Sequence, residues 1–369
     1  MEAFKYGCIV DGEFFCPRPE LSRRLSECIS SGRNVVIQGE RRIGKTSLVR
    51  ATIAGMKGRR AVLADFMGVK SVADVCNRVA DALARFESDE GFFRKTLALL
   101  AHLRPVATVD PATGQPTITV DAVASRNPSS VNAAMDALAR LAEGRKACVV
   151  FDEFQDVLDV PDGDQLLALM RARIQALPRT CFVFLGSARN AMMSIFLSPK
   201  SPFYKSAVSF EVGKIPDGDF FRFARGRFAV GGRKLSREAF DRILDFTDRV
   251  PGDVQELCDA VWHVSEPGDA VTPELTEKGV RTVFARESVA YATFVRPLTD
   301  IQLRVLRALA ELGGEHVLSG EFLQKAGVTT PTTVKRSLAA LAKAELVYDV
   351  GGDRKFASPF FREWVRRLK

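Results

Sequence analysis

Between residues 34 and 212 the chain alternates short apolar runs with longer segments whose apolar residues recur every three or four positions. That alternation is the pattern of strands buried on both faces, separated by amphipathic helices. It predicts strands at 34–38, 60–67, 146–151 and 181–186, a short strand at 207–212, and helices at 45–55, 71–86 and 163–175. Right-handed crossovers assemble these into one parallel sheet with helices on both faces, a three-layer α/β architecture. Ahead of it, a turn-rich lead-in is followed by a helix ending near Ser31. Two β-branched runs around a Pro/Gly turn at 104–120 predict a hairpin inserted beside this unit.

After residue 214 the strand pattern stops. Residues 217–228, 236–248, 252–264 and 273–291 read as helices, with Pro251-Gly252 separating the middle pair. From Leu298 three further helices are expected at 299–312, 319–326 and 331–344. Leu346-Val347-Tyr348-Asp349-Val350, the turn Gly351-Gly352-Asp353 and Arg354-Lys355-Phe356 then form a hairpin. Three short helices followed by such a hairpin describe a winged helix-turn-helix. The expected domains are therefore 1–214, a nucleotide-binding unit carrying the hairpin, 215–297, a helical lid, and 298–369, a winged helix.

The turn after the first strand carries the chemistry. Gly39-Glu40-Arg41-Arg42-Ile43-Gly44-Lys45-Thr46 fits G-x-x-x-x-G-K-[ST], with the required strand before it and Ser47 to Ala51 reading as the helix that leaves it. The two glycines let backbone amides and the positive helix end converge on phosphate oxygens. Lys45 is expected on the β- and γ-phosphates and Thr46 on Mg²⁺. Ala147-Cys148-Val149-Val150-Phe151 then runs into Asp152-Glu153 at the carboxyl end of a central strand. Asp152 is expected to hold Mg²⁺, and Glu153 to orient and deprotonate the attacking water. The ligand expected is ATP with Mg²⁺.

Composition narrows the class. In 369 residues, 46% hydrophobic, no apolar run approaches the length of a membrane span, and the start of the chain lacks the form of a signal peptide, so a cytoplasmic protein is expected. Seven cysteines without a C-x-x-C pair and three scattered histidines argue for reduced thiols and against a zinc site. The net charge is +8, of which residues 298–369 hold half, with 5 Lys and 7 Arg against 8 acidic residues. On the third winged-helix segment Val334, Leu338 and Leu341 share one face and Thr332, Thr333, Lys335 and Arg336 the other. With Arg354 and Lys355 beyond the wing tip, these are the expected contacts if the domain binds duplex DNA; the alternative is a protein partner.

These features together resemble the archaeal-type ATPases, a family with bacterial relatives near the STAND branch of the AAA+ P-loop superfamily. Gly7 to Phe15 with Arg18 and Glu20-Leu21 is similar to the family's lead-in, and the resemblance implies that Phe15 and Arg18 adjoin the nucleotide. Arg41-Arg42-Ile43-Gly44-Lys45-Thr46-Ser47-Leu48 resembles its double-arginine loop, and Asp152-Glu153-Phe154-Gln155 its second motif. Leu185-Gly186-Ser187 matches the strand end with the polar sensor, which implies a catalytic role for Ser187. Ser201-Pro202-Phe203-Tyr204 and the ending Ser358 to Trp364 are similar as well. Two positions depart from the pattern. Lys205-Ser206 stands where relatives carry an arginine, and Arg249 replaces the glycine of an element that Thr247, Pro251 and Gln255 otherwise keep. Arg189, Lys205 and Arg249 are the candidates for the cation on the γ-phosphate.

The expected function is a nucleotide-dependent molecular switch with slow ATP hydrolysis unless a partner completes the site. The winged helix would contact DNA or a protein. A nucleotide-loaded scaffold with negligible turnover is the alternative. A small-molecule kinase is disfavoured, because nothing marks an acceptor pocket.

Overall fold

A computed structural model of the chain describes residues 3–86, 106–109, 116–119, 128–145, 147–178 and 180–368. They form two compact units, residues 11–213 and a second made of residues 1–10 with 214–369.

In the first unit five parallel strands stand in the order β2, β5, β6, β1, β7: β1 (Val35–Gln38), β2 (Arg60–Asp65), β5 (Ala147–Asp152), β6 (Phe182–Gly186) and β7 (Val208–Glu211). Side chains alternate across the sheet. Val149, Phe151, Phe182 and Phe184 enter one core, while Cys148, Val150, Cys181, Val183 and Leu185 enter the other. Such strands must be apolar at every position, which is why their sequences show no alternation. Over the second face lie α1 (Pro19–Ser30) and α2 (Lys45–Ala54), which bury Leu25, Ile29, Leu48, Val49 and Ile53. Over the first lie α3 (Val72–Phe86), α4 (Pro128–Arg145), α5 (Gly163–Gln175) and α6 (Arg189–Phe196). Phe151, Phe154, Phe184, Phe196 and Phe203 interlock there, with ring centroids 4.7–6.0 Å apart.

The inserted strands pair antiparallel, β3 (Val106–Val109) with β4 (Pro116–Thr119), in the register Val106 to Thr119. Their turn, like residues 104, 105 and 120, lies outside the described residues. Helix α6, helix α4 and the C-terminal helix were not anticipated from the pattern of the sequence.

The second unit begins with residues 3–10, expected at the start of the nucleotide-binding unit. Phe4 packs tilted against Phe228, ring centroids 5.1 Å apart, and Arg227 Nε donates to the Ala3 carbonyl at 2.8 Å. Four helices follow, α7 (Asp217–Val230), α8 (Arg237–Phe246), α9 (Pro251–His263) and α10 (Pro273–Val295), with the two-residue parallel strands β8 (Lys234–Leu235) and β9 (Ala270–Val271). Pro251, expected between two helices, is the first residue of α9, since proline lacks only an N–H that the first turn leaves unpaired. Next come α11 (Asp300–Leu312), α12 (Gly320–Ala326), α13 (Pro331–Lys343), the hairpin β10 (Val347–Val350) and β11 (Asp353–Phe356), and α14 (Pro359–Arg367). Thr299, Ser319, Thr330 and Ser358 each accept an N-cap hydrogen bond, worth about 1 kcal/mol apiece.

Candidate functional site

The loop between β1 and α2 is held in shape by its glycines and by Arg18. A Cβ at Gly39 would sit 2.6 Å from the Val212 carbonyl oxygen, and Gly44 has φ +90°, in the region that favours glycine. Arg42 also lies in the left-handed region, at φ 61°. Arg18 is buried, and its guanidinium donates to the carbonyls of Ile43 at 2.9 Å and Gly213 at 2.5 Å. It ties the phosphate loop to the last residue of the sheet unit. Burial pushes its pKa down. Phe15 packs against the core beside α1 and α2. Thus Arg18, expected to adjoin the nucleotide, braces the loop in this conformation, a linkage that no spacing in the sequence signals.

Lys45 is buried, and its Nζ donates to the Gly39 and Glu40 carbonyls, at 3.1 Å each. Desolvation lowers its pKa, partly opposed by Glu153 and Asp152. Ser47 is buried behind it, while Arg41 and Arg42 are exposed on the loop.

Strand β5 delivers the carboxylates. Thr46 Oγ1 donates to Asp152 Oδ2 at 2.6 Å across 106 residues of sequence, and Asp152 Oδ1 accepts from the Glu153 amide at 3.0 Å. Burial raises the pKa of Asp152, against the lowering effect of the Thr46 bond. Glu153 turns the chain out of the strand at φ 45°, ψ 45°, a strained conformation for this residue type. Its Oε2 accepts from Ser187 Oγ at 2.8 Å, Ser187 N at 3.2 Å and Gln155 Nε2 at 2.7 Å. Lys45, Thr46, Asp152, Glu153 and Ser187 are thereby gathered at the carboxyl ends of β1, β5 and β6. The part of Gln155 in this group was not read from the sequence.

The candidate cations for the γ-phosphate are differently placed. Arg189 is exposed at the start of α6 and faces Glu211 at 3.6 Å. Lys205, at φ 51° and exposed, sets its ammonium 5.2 Å from the Tyr204 ring centre. Arg249 belongs to the second unit, where it pairs with Asp217 at 3.3 Å and Asp245 at 3.0 Å.

In the winged helix, Val334, Leu338 and Leu341 are buried, and Thr332, Lys335 and Arg336 are exposed. Thr333 is half-buried, its hydroxyl 2.9 Å from that of Thr330 in the helix cap. Arg354 pairs with Asp349 at 2.7 Å. With Lys355, His316, Asp248 and Arg362 it lines a cavity of ≈ 540 Å³. The two wing residues are thus half-buried at this cavity, whereas Lys335 and Arg336 are exposed on their helix.

Residues 289–367 match a family model described as a probable winged helix domain. Among solved structures, the chain is similar to the Walker-type ATPase of Pyrococcus abyssi, at 18% identity and TM-score 0.65, over 96% of this chain and 97% of that one. It is also similar to the ORC1 protein of Aeropyrum pernix in complex with DNA, at 16% identity and TM-score 0.55, over 95% and 92% of the two chains. A third similar structure is the ORC2 protein of the same organism in ADPNP–ADP complexes, at 14% and TM-score 0.52, over 95% and 92%. No protein of curated function matches. These likenesses establish the fold, a five-stranded parallel sheet layered with helices and a C-terminal winged helix.

Proposed function

We propose that this protein binds ATP with Mg²⁺, hydrolyses it, and uses the change of nucleotide state to switch the engagement of its winged helix with duplex DNA. The observation that carries the reading is the 2.6 Å bond between Thr46 Oγ1 and Asp152 Oδ2. It joins a hydroxyl at the start of the phosphate-loop helix, which follows β1, to a carboxylate at the end of β5, on the far side of β6 in the sheet. Two hard oxygen donors side by side suit Mg²⁺, which takes oxygen ligands and keeps several waters. Bound Mg²⁺ would neutralise charge on the phosphate oxygens.

On this reading the loop amides between Gly39 and Lys45 hold the phosphates, and Lys45 leaves the carbonyls of Gly39 and Glu40 for the β/γ-phosphate oxygens. Glu153 orients the attacking water and takes its proton, while Ser187 positions Glu153. Residues 215–297 act as the lid, and Arg189, Lys205 and Arg249 remain the candidates for a cation on the γ-phosphate. For Arg249 this requires leaving Asp217 and Asp245. Duplex DNA is favoured over a protein by the exposed Lys335 and Arg336, by the positive charge of the last fifth of the chain, and by the DNA carried by the similar Aeropyrum ORC1 protein.

A second reading, a nucleotide-loaded scaffold, is supported by the three hydrogen bonds on Glu153 Oε2, which leave the base occupied in this conformation. Steady-state ATP hydrolysis measured with and without duplex DNA decides between them. The switch requires turnover that DNA alters, whereas turnover at the rate of uncatalysed hydrolysis in both conditions leaves only the scaffold. No helix among the described residues is long and apolar enough to cross a membrane.

A further inference from the structure

Gln155 stands two residues beyond Glu153 in the 3₁₀ turn Phe154–Asp159, and it is 8% exposed. Its Nε2 donates to Glu153 Oε2 at 2.7 Å and to Asp156 Oδ1 at 2.8 Å. Both amide hydrogens are thereby given to carboxylates. The other end of the amide tells more: Oε1 is buried and meets no donor among the described residues. Rotating the amide by half a turn would set Oε1 against two carboxylate oxygens, so the observed orientation is fixed by charge. Gly186, at the end of β6, leaves room for the group, because a Cβ there would lie 2.6 Å from Gln155 Oε1 and would collide with Met192.

A buried carbonyl without a donor destabilises the fold, and an apolar residue of the same size would avoid that cost. Stability therefore does not account for this amide. What it does is hold together two like-charged carboxylates and fix one of them. Glu153 cannot be fixed by its own backbone, which has already left the strand for a left-handed conformation. Ser187, the residue after β6, donates to Oε2, and Gln155, in the turn after β5, donates to the same oxygen.

We propose that Gln155 is a positioning residue for hydrolysis: it sets the carboxylate of Glu153 between the ends of β5 and β6 and prevents its displacement by Asp156. The proposal rests on the reading of Glu153 as the base. Misplacement of a reacting group by about 1 Å can cost about 100-fold in rate, so losing this amide is expected to lower kcat by about 10- to 100-fold. ATP affinity and KM should stay unchanged, because Gln155 touches neither Lys45 nor Thr46.

Gln155→Leu and Gln155→Met keep the buried volume and remove the amide, and either one that folds serves. ATP affinity is measured by titration with a fluorescent analogue, turnover under saturating ATP, and the position of Glu153 in a nucleotide-free crystal structure. The expected result is a fall in kcat alone, no further fall when the substitution is added to Glu153→Gln, and a Glu153 carboxylate that has left Ser187. Parent-like kcat, or Glu153 still bonded to Ser187 in the variant crystal, overturns the proposal. So does a loss of affinity that matches the loss of rate. If Glu153→Gln itself turns over at the parent rate, the reading of the base fails as well. A severely slowed Glu153→Gln beside a parent-like Gln155→Leu removes the Gln155 proposal alone.

Discussion

The phosphate-loop site and the face of the winged helix treat their polar groups in opposite ways. Around the loop, Lys45 rests on backbone carbonyls, Asp152 is half-buried with a pKa raised by desolvation, and Gln155 keeps an acceptor without a donor among the described residues. In the winged helix the helix starts are capped, Arg354 has Asp349, Arg362 has Asp248 at 2.6 Å, and Lys335 and Arg336 extend into solvent. Polar groups left poorly paired by the protein are the ones that gain most when a charged ligand arrives. A surface already satisfied offers mainly long-range charge, which salt screens. The first region should therefore respond to single substitutions by large factors, and the second to several substitutions by graded ones.

The largest effect is expected at Lys45. In Lys45→Ala the mobile cation is gone while Thr46, Asp152 and the loop glycines remain, so most ATP affinity should be lost from a folded protein. Isothermal titration with ATP and Mg²⁺ checks this, and equal affinity in mutant and parent would break the assignment of the loop. Next is Glu153→Gln, which should retain ATP with Mg²⁺ and slow turnover by about 100-fold or more, as the loss of a positioned base does. A variant hydrolysing at the parent rate would place Glu153 among charges that merely end a strand.

At the winged helix the effect is smaller and additive. Each phosphate contact contributes roughly 0.9 to the slope of log affinity against log salt, so neutralising Lys335 and Arg336 together should flatten it by about 2 units. Arg354 and Lys355 are half-buried and line the cavity, so adding their substitution should change the slope little beyond that. Fluorescence anisotropy of labelled duplex across a salt series measures both. A parent that binds no duplex at low salt would replace DNA with a protein partner.

The smallest effect concerns Tyr291, which packs against Phe361 and Trp364 at 5.4 and 5.6 Å and whose pKa burial pushes up to about 12. Between the ordinary value of 10.0 and about 12 the unfolded chain loses this proton and the native chain keeps it. Stability should therefore fall as pH rises through that window and be unaffected by this group below it. Chemical denaturation from pH 9 to 12 should show that slope in the parent, and Tyr291→Phe should remove it. An unchanged slope in the variant would assign the decline to other groups.

What could be read from the chain alone was local. Gly39 to Thr46 carries its own spacing, Asp152-Glu153 follows an unbroken apolar run, and Thr330-Pro331 announces a helix start, because each depends on neighbours in sequence. The parallel sheet was legible for the same reason, since strands buried on both faces must be apolar throughout. Helix α6 was missed because Arg189–Phe196 is too short to display a period. Residues 3–10 were grouped with the wrong neighbours because their partners, Phe228 and Arg227, lie more than 200 residues away.

The sequence by itself determined the phosphate loop, the strands of the parallel sheet, and the winged-helix pattern, all set by backbone geometry and by the spacing of apolar residues. Tertiary structure alone decided which polar atoms meet. Arg18 reaches Ile43 and Gly213, Ser187 reaches Glu153, and Arg249 finds Asp217, through contacts that close only when distant segments are brought together. A hydrogen bond is effective over about 3 Å, and no spacing along the chain specifies that distance between residues dozens of positions apart.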